Sequence, residues 1–392
     1  MADPERIARM RKVMVAERLD VLVLRMPENV LLLSGFWPMI GATVLVFPLD
    51  GTPMCVVPAC FEPEAAEALR EVAVTYCPYG VLCGPDPASE LKRIIGGMAK
   101  QARWKRIGYE DNVDRIAAPW NSAETLINIA QTRNLLTTIF EGRELVDVWP
   151  LLQLQRSRKT DYETAKLRIV NAISAIGLKA FARSVQAGVS GVELVAEVER
   201  EIMVLGSGFQ DACRVRGYAQ VATGPAESAV AHRPSEVSTR RVMQSGDIAV
   251  LELAVVADGY WADRTRVRVA GQPSDEQVKI FELVRAAQEA ALAALRPGAA
   301  GAEIDEAARS IIREAGYADS FPHITGHGVG FCYHESIPQL APGVTERLNQ
   351  GMLTSIEPGI YLNSCGGIRI EDNVLVTESG AETLGAFPKE IA

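Results

Sequence analysis

Two segments of this 392-residue chain repeat one another, and any fold must accommodate both copies. GVSGVELVAEVEREIMVLG at 188–206 and GAAGAEIDEAARSIIREAG at 298–316 have equal length, with Gly at the first, fourth and last positions and Glu at the sixth. Each copy follows a long predicted helix and ends in the glycine that is typical of a helix C-terminus. The repeat indicates a duplicated half-domain, and we expect its functional site where the two copies meet.

Residues 1–155 show another pattern, in which helical stretches alternate with short β-like runs. The predicted helices are 4–17 and 63–72, and the predicted strands are 21–24, 30–35, 42–48, 53–58 and 104–110. A polar run at 153–163 marks the expected boundary, after which Thr160 and Asp161 can cap a helix that continues to about Val185. We therefore predict an α/β domain at 1–155 and a second domain at 156–392.

Composition narrows the functional classes. No apolar run approaches the roughly 18–20 residues that a membrane helix needs, and a net charge of −9 without a basic stripe argues against nucleic-acid binding. Seven cysteines without a CxxC pair, and a charged N-terminus without an apolar signal core, favour a cytoplasmic location. We expect a small-molecule or short-peptide substrate, with no membrane or nucleic-acid partner.

The chain has four histidines, all in its C-terminal half: His232, His323, His327 and His334. The last three lie within HITGHGVGFCYHE. Histidine titrates near neutral pH and is the commonest metal ligand, so a cluster in a chain with so few histidines predicts a catalytic site.

Two acids lie on the arms of a predicted β-hairpin, GDIAVLELAVVADGYWADRTRVRV at 246–269. Glu252 is on the first arm and Asp263 on the second, with the turn at Asp258 and Gly259. A carboxylate buried in an apolar strand needs a cation, whereas one on an edge strand that faces water needs none. Taken alone, Glu252 fits either interpretation.

Two further acids, Glu357 in TSIEPGIY and Glu371 in GIRIEDNVLVT, also lie in or beside apolar runs. With the hairpin acids and His327, which is predicted in a turn between Gly326 and Gly328, they provide five ligands of the type that Mn, Co, Fe or Zn accepts. Four carboxylates repel one another unless about two divalent cations lie among them. The other three histidines would then serve proton transfer or hold a developing oxyanion.

The order of these motifs resembles the pita-bread metallopeptidase family of Xaa-Pro dipeptidase, aminopeptidase P, methionine aminopeptidase and creatinase. The motifs are the hairpin with paired acids, HxxGHGxG with a following HE, EPGIY and RIED. The resemblance covers residues from about 155 to 390, and the N-terminal region resembles the creatinase/prolidase N-terminal domain. It implies an α/β domain followed by an α+β pita-bread domain with an internal pseudo-twofold repeat, in a homodimer.

The resemblance also implies residue roles. The implied metal ligands are Glu252, Asp263, His327, Glu357 and Glu371, with Asp263 and Glu371 bridging two divalent ions. Glu357 would in addition be the general base, and His232, His323 and His334 would act near the substrate. Arg369 matches the Arg of the RIED motif and is assigned to substrate binding, although the sequence equally allows a structural ion pair with a carboxylate of the site.

One departure from the family pattern concerns Glu252, because prolidases carry Asp as this first ligand. The extra methylene displaces the carboxylate and leaves the first metal open. The leading hypothesis is a metal-dependent Xaa-Pro dipeptidase or aminopeptidase that cleaves a C–N amide bond with an activated water. The alternatives are a creatinase-like or ectoine-hydrolase-like enzyme that uses His232 on a small non-peptide substrate without metal, and a non-catalytic binding protein on the same scaffold.

Overall fold

A computed structural model of the chain describes residues 2–38, 43–69, 73–76, 86–111, 129–233 and 238–392. It divides into two compact units, Met1–Arg156 and Ser157–Ala392. Of the part that is described, no helix is both long and apolar enough to span a membrane.

The first unit is built on a six-stranded mixed sheet, which agrees with the predicted α/β class. The strands are β1 (Val21–Leu24), β2 (Val44–Pro48), β3 (Met54–Pro58), β4 (Ala73–Tyr76), β5 (Arg106–Tyr109) and β6 (Glu144–Asp147). Their order in the sheet is β4-β3-β2-β1-β5-β6. The helices are α1 (Pro4–Ala16), α2 (Pro27–Ser34), α3 (Glu62–Leu69), α4 (Pro87–Ala102), α5 (Ile129–Ile139) and α6 (Trp149–Ser157).

One predicted strand of this unit is wrong, because the run at 30–35 lies in helix α2 and its cap. Pro27 occupies the first turn, and Gly35, at φ +72°, ends the helix in the left-handed conformation. Every residue from Glu28 to Ser34 is buried. A short helix that is buried on all sides has the same continuous apolar pattern as a buried strand, so periodicity could not separate the two. The predicted end of α3, at Val72, lies outside the described residues.

The second unit begins with α7 (Asp161–Ser184), and here the prediction is confirmed. Thr160 caps this helix, its hydroxyl accepting from the Glu163 amide while the Glu163 carboxylate accepts from the Thr160 amide. The later long helix, α10 (Asp275–Ala294), begins with the same kind of box from Ser274 and Gln277.

The two sequence repeats form the next helices, α8 (Gly191–Glu201) and α11 (Gly301–Glu314). The last glycines of the two repeats, Gly206 and Gly316, have different structural roles. Gly316 has a φ of +87° and follows the end of α11 as predicted. Gly206 instead closes a π-helical turn, Ile202–Gly206, where an added Cβ would come within 2.7 Å of Ile173. The second glycine is a helix stop, and the first is a packing residue.

The strands of the second unit form three sheets. β7 (Val215–Thr223), β8 (Ile248–Ala257) and β9 (Tyr260–Val269) make an antiparallel meander, and the short helix α9 (Gly224–Ser228) lies in the connection between β7 and β8. The later strands are β10 (Gly326–Gly328), β11 (Glu335–Leu340), β12 (Leu353–Ile356), β13 (Gly359–Leu362), β14 (Gly366–Arg369), β15 (Asp372–Thr377) and β16 (Gly380–Thr383). Five of them form a sheet in the order β11-β10-β12-β15-β16, and β13 pairs with β14.

A single bridge between Thr265 of β9 and Glu371 connects the meander to the segment between β14 and β15. An apolar core surrounds this connection. It is formed by α10 and α11 together with strands of the meander and of the two later sheets, and its fully buried members include Ile248, Ile280 and Ile356. The site residues are therefore fixed on strands that are packed from both sides.

Candidate metal centre

The hairpin β8–β9 places two acids on one face. Asp258 and Gly259 have φ of +51° and +90°, which is the type I′ turn that the Asp-Gly pair favours. In the resulting register Glu252 lies opposite Thr265, and Asp263 is two residues from Thr265 along β9. Side chains two apart point to the same face, so all three face the same side of the meander.

His327 lies on the short strand β10, where the sequence predicted a turn. The pairing of β10 with β11 shifts register between His327 and Gly328, and this bulge accounts for the turn-like sequence. The ring of His327 is held by a contact of 2.9 Å between its Nδ1 and the Gly328 carbonyl oxygen. With Nδ1 protonated for this bond, Nε2 carries the lone pair that a metal needs.

Around His327 Nε2 two carboxylates converge. Glu357 Oε1 lies at 3.3 Å and Asp263 Oδ2 at 3.4 Å. Glu357 follows β12, and its Oε1 also accepts a hydrogen bond of 3.3 Å from Ser355. Asp263 is fixed through its backbone, whose amide donates to Asn373 Oδ1 at 2.9 Å. The predicted ligand from the hairpin, Asp263, therefore lies beside the predicted ligands His327 and Glu357 from the later strands.

Glu371 lies in the link between β14 and β15 and is fully buried. Its Oε2 accepts from the Thr265 hydroxyl at 2.7 Å. Its Oε1, also buried, has no hydrogen-bond partner among the described residues. A buried carboxylate oxygen without a donor is costly unless a cation is beside it.

The donor set fits a divalent ion. Ligand atoms of His327, Glu357 and Glu371 lie within 4.8 Å of one another, as do those of Asp263, His327 and His334, and those of Glu252, Asp263 and Glu371. Burial, the Glu371 carboxylate and Asp263 together raise the pKa of Glu357 well above its ordinary value. Crowded buried carboxylates of this kind call for a positive charge among them.

Glu252 is engaged differently from the other acids. Its Oε2 pairs with the Arg369 guanidinium, and its Oε1 accepts a hydrogen bond of 2.5 Å from the Tyr333 hydroxyl. Thr265 Oγ1 is also 3.0 Å from Oε2. Both Arg369 and Tyr333 are buried. Of the two interpretations of Arg369 that the sequence allowed, the ion pair is the one this geometry contains, while its role in substrate binding stays a prediction.

A chain of hydrogen bonds runs from Arg369 to His323. Arg369 Nη1 donates to the Tyr361 hydroxyl at 2.7 Å, and Tyr361 lies 2.9 Å from His323 Nε2. His323 Nδ1 is 2.8 Å from the Ile324 carbonyl oxygen, so Nδ1 donates and Nε2 accepts. Burial lowers the pKa of His323 to about 4, and its ring is neutral at physiological pH.

The other two histidines border the same space. The His232 ring lies 4.9 Å from the Tyr361 ring and is half-buried, and its Nδ1 has no hydrogen-bond partner among the described residues. Burial, with the charges of Arg233 and Arg369, lowers the pKa of His232. His334 packs against the rings of His327 and Tyr333 at 4.3 and 4.0 Å, and burial lowers its pKa well below the ordinary value.

Three residues of this site escaped sequence analysis: Thr265, Tyr333 and Tyr361. Thr265 had a usable signal, because it lies two residues from Asp263 in a strand and must share its face. Tyr333 and Tyr361 had none, since their roles depend on side chains that are distant in sequence.

Comparisons with known proteins agree with this geometry. Residues 165–378 match the model of metallopeptidase family M24, and residues 6–157 match the creatinase/prolidase N-terminal domain. The chain is 31% identical over 301 residues to an Xaa-Pro dipeptidase of Lactobacillus helveticus, a match that covers 76% of this chain and 79% of that protein. A second Xaa-Pro dipeptidase, from Pyrococcus furiosus, is 42% identical over 158 residues, which are 40% of this chain and 45% of that protein.

Among solved structures, the Xaa-Pro dipeptidase from Bacillus anthracis is similar over 99% of this chain and 98% of its own, with a TM-score of 0.81 and 25% identity. The match covers both the mixed-sheet unit and the unit with the duplicated helices, which confirms the predicted order of domains. With the family model matching more than half of its length and a group of residues that could hold a metal at His327, the chain belongs to metallopeptidase family M24.

Proposed function

We propose that this protein is a metal-dependent hydrolase that cleaves the C–N amide bond of short Xaa-Pro peptides. The observation that carries the proposal is the convergence of Asp263 and Glu357 on His327 Nε2, beside the Glu371 oxygen that lacks a hydrogen bond. Support for the substrate class comes from relatives and solved structures that carry the name Xaa-Pro dipeptidase.

The residues around the centre divide the work. Asp263, His327, Glu357 and Glu371 would hold the ion, which as a Lewis acid polarises the substrate carbonyl and lowers the pKa of a water. Glu357 has its Oε1 toward His327, and its Oε2 faces the Arg369 Nε at 4.0 Å. In that position Glu357 is the base that takes the proton of the attacking water.

The substrate side is formed by His232, His323 and Tyr361. His232 Nδ1 has no hydrogen-bond partner within the described part of the chain, so this ring can exchange a proton with the leaving nitrogen. His323 Nε2 accepts the hydrogen of the Tyr361 hydroxyl, and this bond holds the two rings in place beside the substrate. His334 packs against His327 and keeps the ligand ring in place.

We also propose the identity of the metal, the oligomeric state and the location of the protein. Manganese or cobalt suits the mixture of one imidazole and several carboxylates. The homodimer is what the family resemblance implies, and buried cysteines outside any disulfide, such as Cys55 and Cys365, agree with a cytoplasmic location.

Hydrolysis of Xaa-Pro dipeptides before and after chelation tests the function. Chelation should abolish turnover, and manganese or cobalt should restore it. A matched panel of an Xaa-Pro dipeptide, an Xaa-Ala dipeptide and creatine separates the candidate substrates. Turnover that survives exhaustive chelation, or activity confined to creatine, would contradict the proposal, and so would the absence of any hydrolysis by the metal-loaded protein.

A further inference from the structure

The acids at the centre fall into two groups by the donors they accept. Near His327, Glu371 Oε1 has no donor among the described residues. Both oxygens of Glu252, by contrast, already accept, Oε1 from Tyr333 and Oε2 from Arg369. Distance alone places Glu252 among possible ligands with Asp263 and Glu371, but a carboxylate engaged on both oxygens is not a ready ligand.

The donors to Glu252 are themselves fixed. The Tyr333 side chain is buried and packs against the rings of Trp261 and His334. The Arg369 guanidinium is buried, with Nε 2.9 Å from Thr265 Oγ1 and Nη1 2.7 Å from Tyr361. Each nitrogen of the guanidinium therefore points at a different partner, and the group has little freedom to turn away.

Charge leads to the same conclusion. Within this part of the site the guanidinium pairs with Glu252 and lies 4.0 Å from the nearest oxygen of Glu357. Because this Arg belongs to the RIED motif of the family, the feature particular to this chain is the longer Glu252, both of whose oxygens accept from buried donors. A divalent ion bound to Glu252 would also lie against the buried cation, and like charges at close range repel strongly where water is excluded. An Asp at position 252 would end one methylene nearer its own backbone, whereas the longer Glu252 reaches Tyr333 and Arg369.

We propose that the Arg369 guanidinium takes the place of a second divalent ion beside Glu252, so that this chain binds one ion, held by Asp263, His327, Glu357 and Glu371. This inference rests on the proposed metal-dependent function and specifies its centre. Arg369 then balances Glu252, and one ion balances the remaining carboxylates.

The metal content of the purified full-length protein tests this directly. The protein is loaded with excess Mn²⁺, the unbound metal is removed on a desalting column, and manganese per chain is measured by elemental mass spectrometry. We expect one ion per chain. Two ions per chain would overturn the inference while leaving the metallohydrolase function intact, and no ion would overturn both.

Variants locate the ion. Glu252→Gln should keep one ion per chain, whereas Glu371→Gln, which removes a ligand, should lower the Mn²⁺ affinity by more than the roughly tenfold that loss of an outer-shell partner costs. Loss of manganese from Glu252→Gln, with its thermal unfolding unchanged, would contradict the inference.

Because Glu252→Gln removes the partner of a buried guanidinium and could unfold the chain, a second measurement uses the wild type alone. Anomalous diffraction from crystals soaked in Mn²⁺ should show one peak beside His327, with Arg369 still bonded to Glu252. A second peak within ligand distance of Glu252 would refute the inference.

Discussion

The two halves of the second unit begin alike and end differently. Each starts with a long capped helix and a repeat helix, α7 and α8 in one half and α10 and α11 in the other. The first half then forms a regular meander, in which β8 and β9 pair without a break over ten residues. The second half forms short strands of three to six residues, with a register shift at His327.

The two halves therefore contribute residues to the site from different kinds of backbone. The regular hairpin supplies Glu252 and Asp263 at positions set by strand alternation. The irregular half supplies His327, Glu357 and Glu371 from a bulge and from links beside strands, where a side chain can be aimed individually. Duplication thus provided two similar supports, and three of the proposed ligands come from the half with irregular strands.

The largest expected effect tests the catalytic part of the irregular half. Glu357→Gln should lower kcat by about 10²–10⁴-fold, because an amide cannot act as a base. Steady-state kinetics on an Xaa-Pro dipeptide, with manganese content measured in parallel, separates loss of the base from loss of metal. The exposed Glu382→Gln serves as the control and should keep wild-type kcat. A Glu357→Gln enzyme with full metal content and unchanged kcat would assign the base to another residue.

The second largest effect is expected where buried ion pairs connect the two halves of the second unit. The buried Asp372 of β15 accepts from Arg264 at 2.7 Å and from Arg266 at 2.6 Å, both on β9. Asp372→Ala leaves these buried cations without their main partner, so the free energy of unfolding should fall by about 3–5 kcal/mol. Urea denaturation measures it.

A matched control for Asp372→Ala is Glu382→Gln. Glu382 pairs with Arg168, and both side chains are more than one-third exposed. Loss of this pair should change the free energy of unfolding by at most about 1 kcal/mol. Equal effects in the two variants would mean that the buried cluster does not join the halves.

A pH prediction concerns His323, which belongs to the irregular half. Its folded-state pKa of about 4 is below the value of about 6.5 for an unfolded histidine. The unfolded state therefore binds more protons, and stability falls as pH decreases from about 6.5 to 4, by at most about 3 kcal/mol for this group. His323→Gln should flatten the dependence of the unfolding free energy on pH, and an unchanged slope would exclude His323 as its source.

The smallest effects compare the two repeat glycines. Gly206→Ala should cost about 1–3 kcal/mol, because its Cβ meets Ile173 at 2.7 Å. Gly316→Ala should cost about 1 kcal/mol through its left-handed φ of +87°. Gly316→Asn tolerates that φ better than Ala and should recover part of the loss, whereas Gly206→Asn should not. If Asn rescued both positions, the two glycines would have the same role.

Much of this architecture could be predicted from the sequence, and the limits have physical causes. The cap at Thr160 and the Asp258–Gly259 turn depend on local chemistry, so their positions were predicted correctly. The strand predicted at 30–35 was wrong, because burial on every side of α2 removed the periodicity that identifies a helix. Local sequence also made a bulged strand at His327 look like a turn.

The site could be predicted in part. Its acids and His327 were identified because carboxylates in apolar strands are conspicuous, and the structure brings all five close together. What Glu252 contacts could not be predicted, because Tyr333 and Arg369 are 81 and 117 residues away along the chain. Contacts of this kind leave no spacing signal in one sequence.

Thr265 has one hydroxyl hydrogen, and two carboxylates lie within its reach, Glu371 at 2.7 Å and Glu252 at 3.0 Å. At any moment it can donate to one of them, so a bond gained by an acid of one half is a bond lost by an acid of the other. Arg369 Nε donates to the oxygen of the Thr265 hydroxyl, so the hydroxyl hydrogen remains available to either carboxylate. A substitution at Glu252 therefore changes the hydrogen bonding of Glu371 through the Thr265 hydroxyl, without any movement of the backbone.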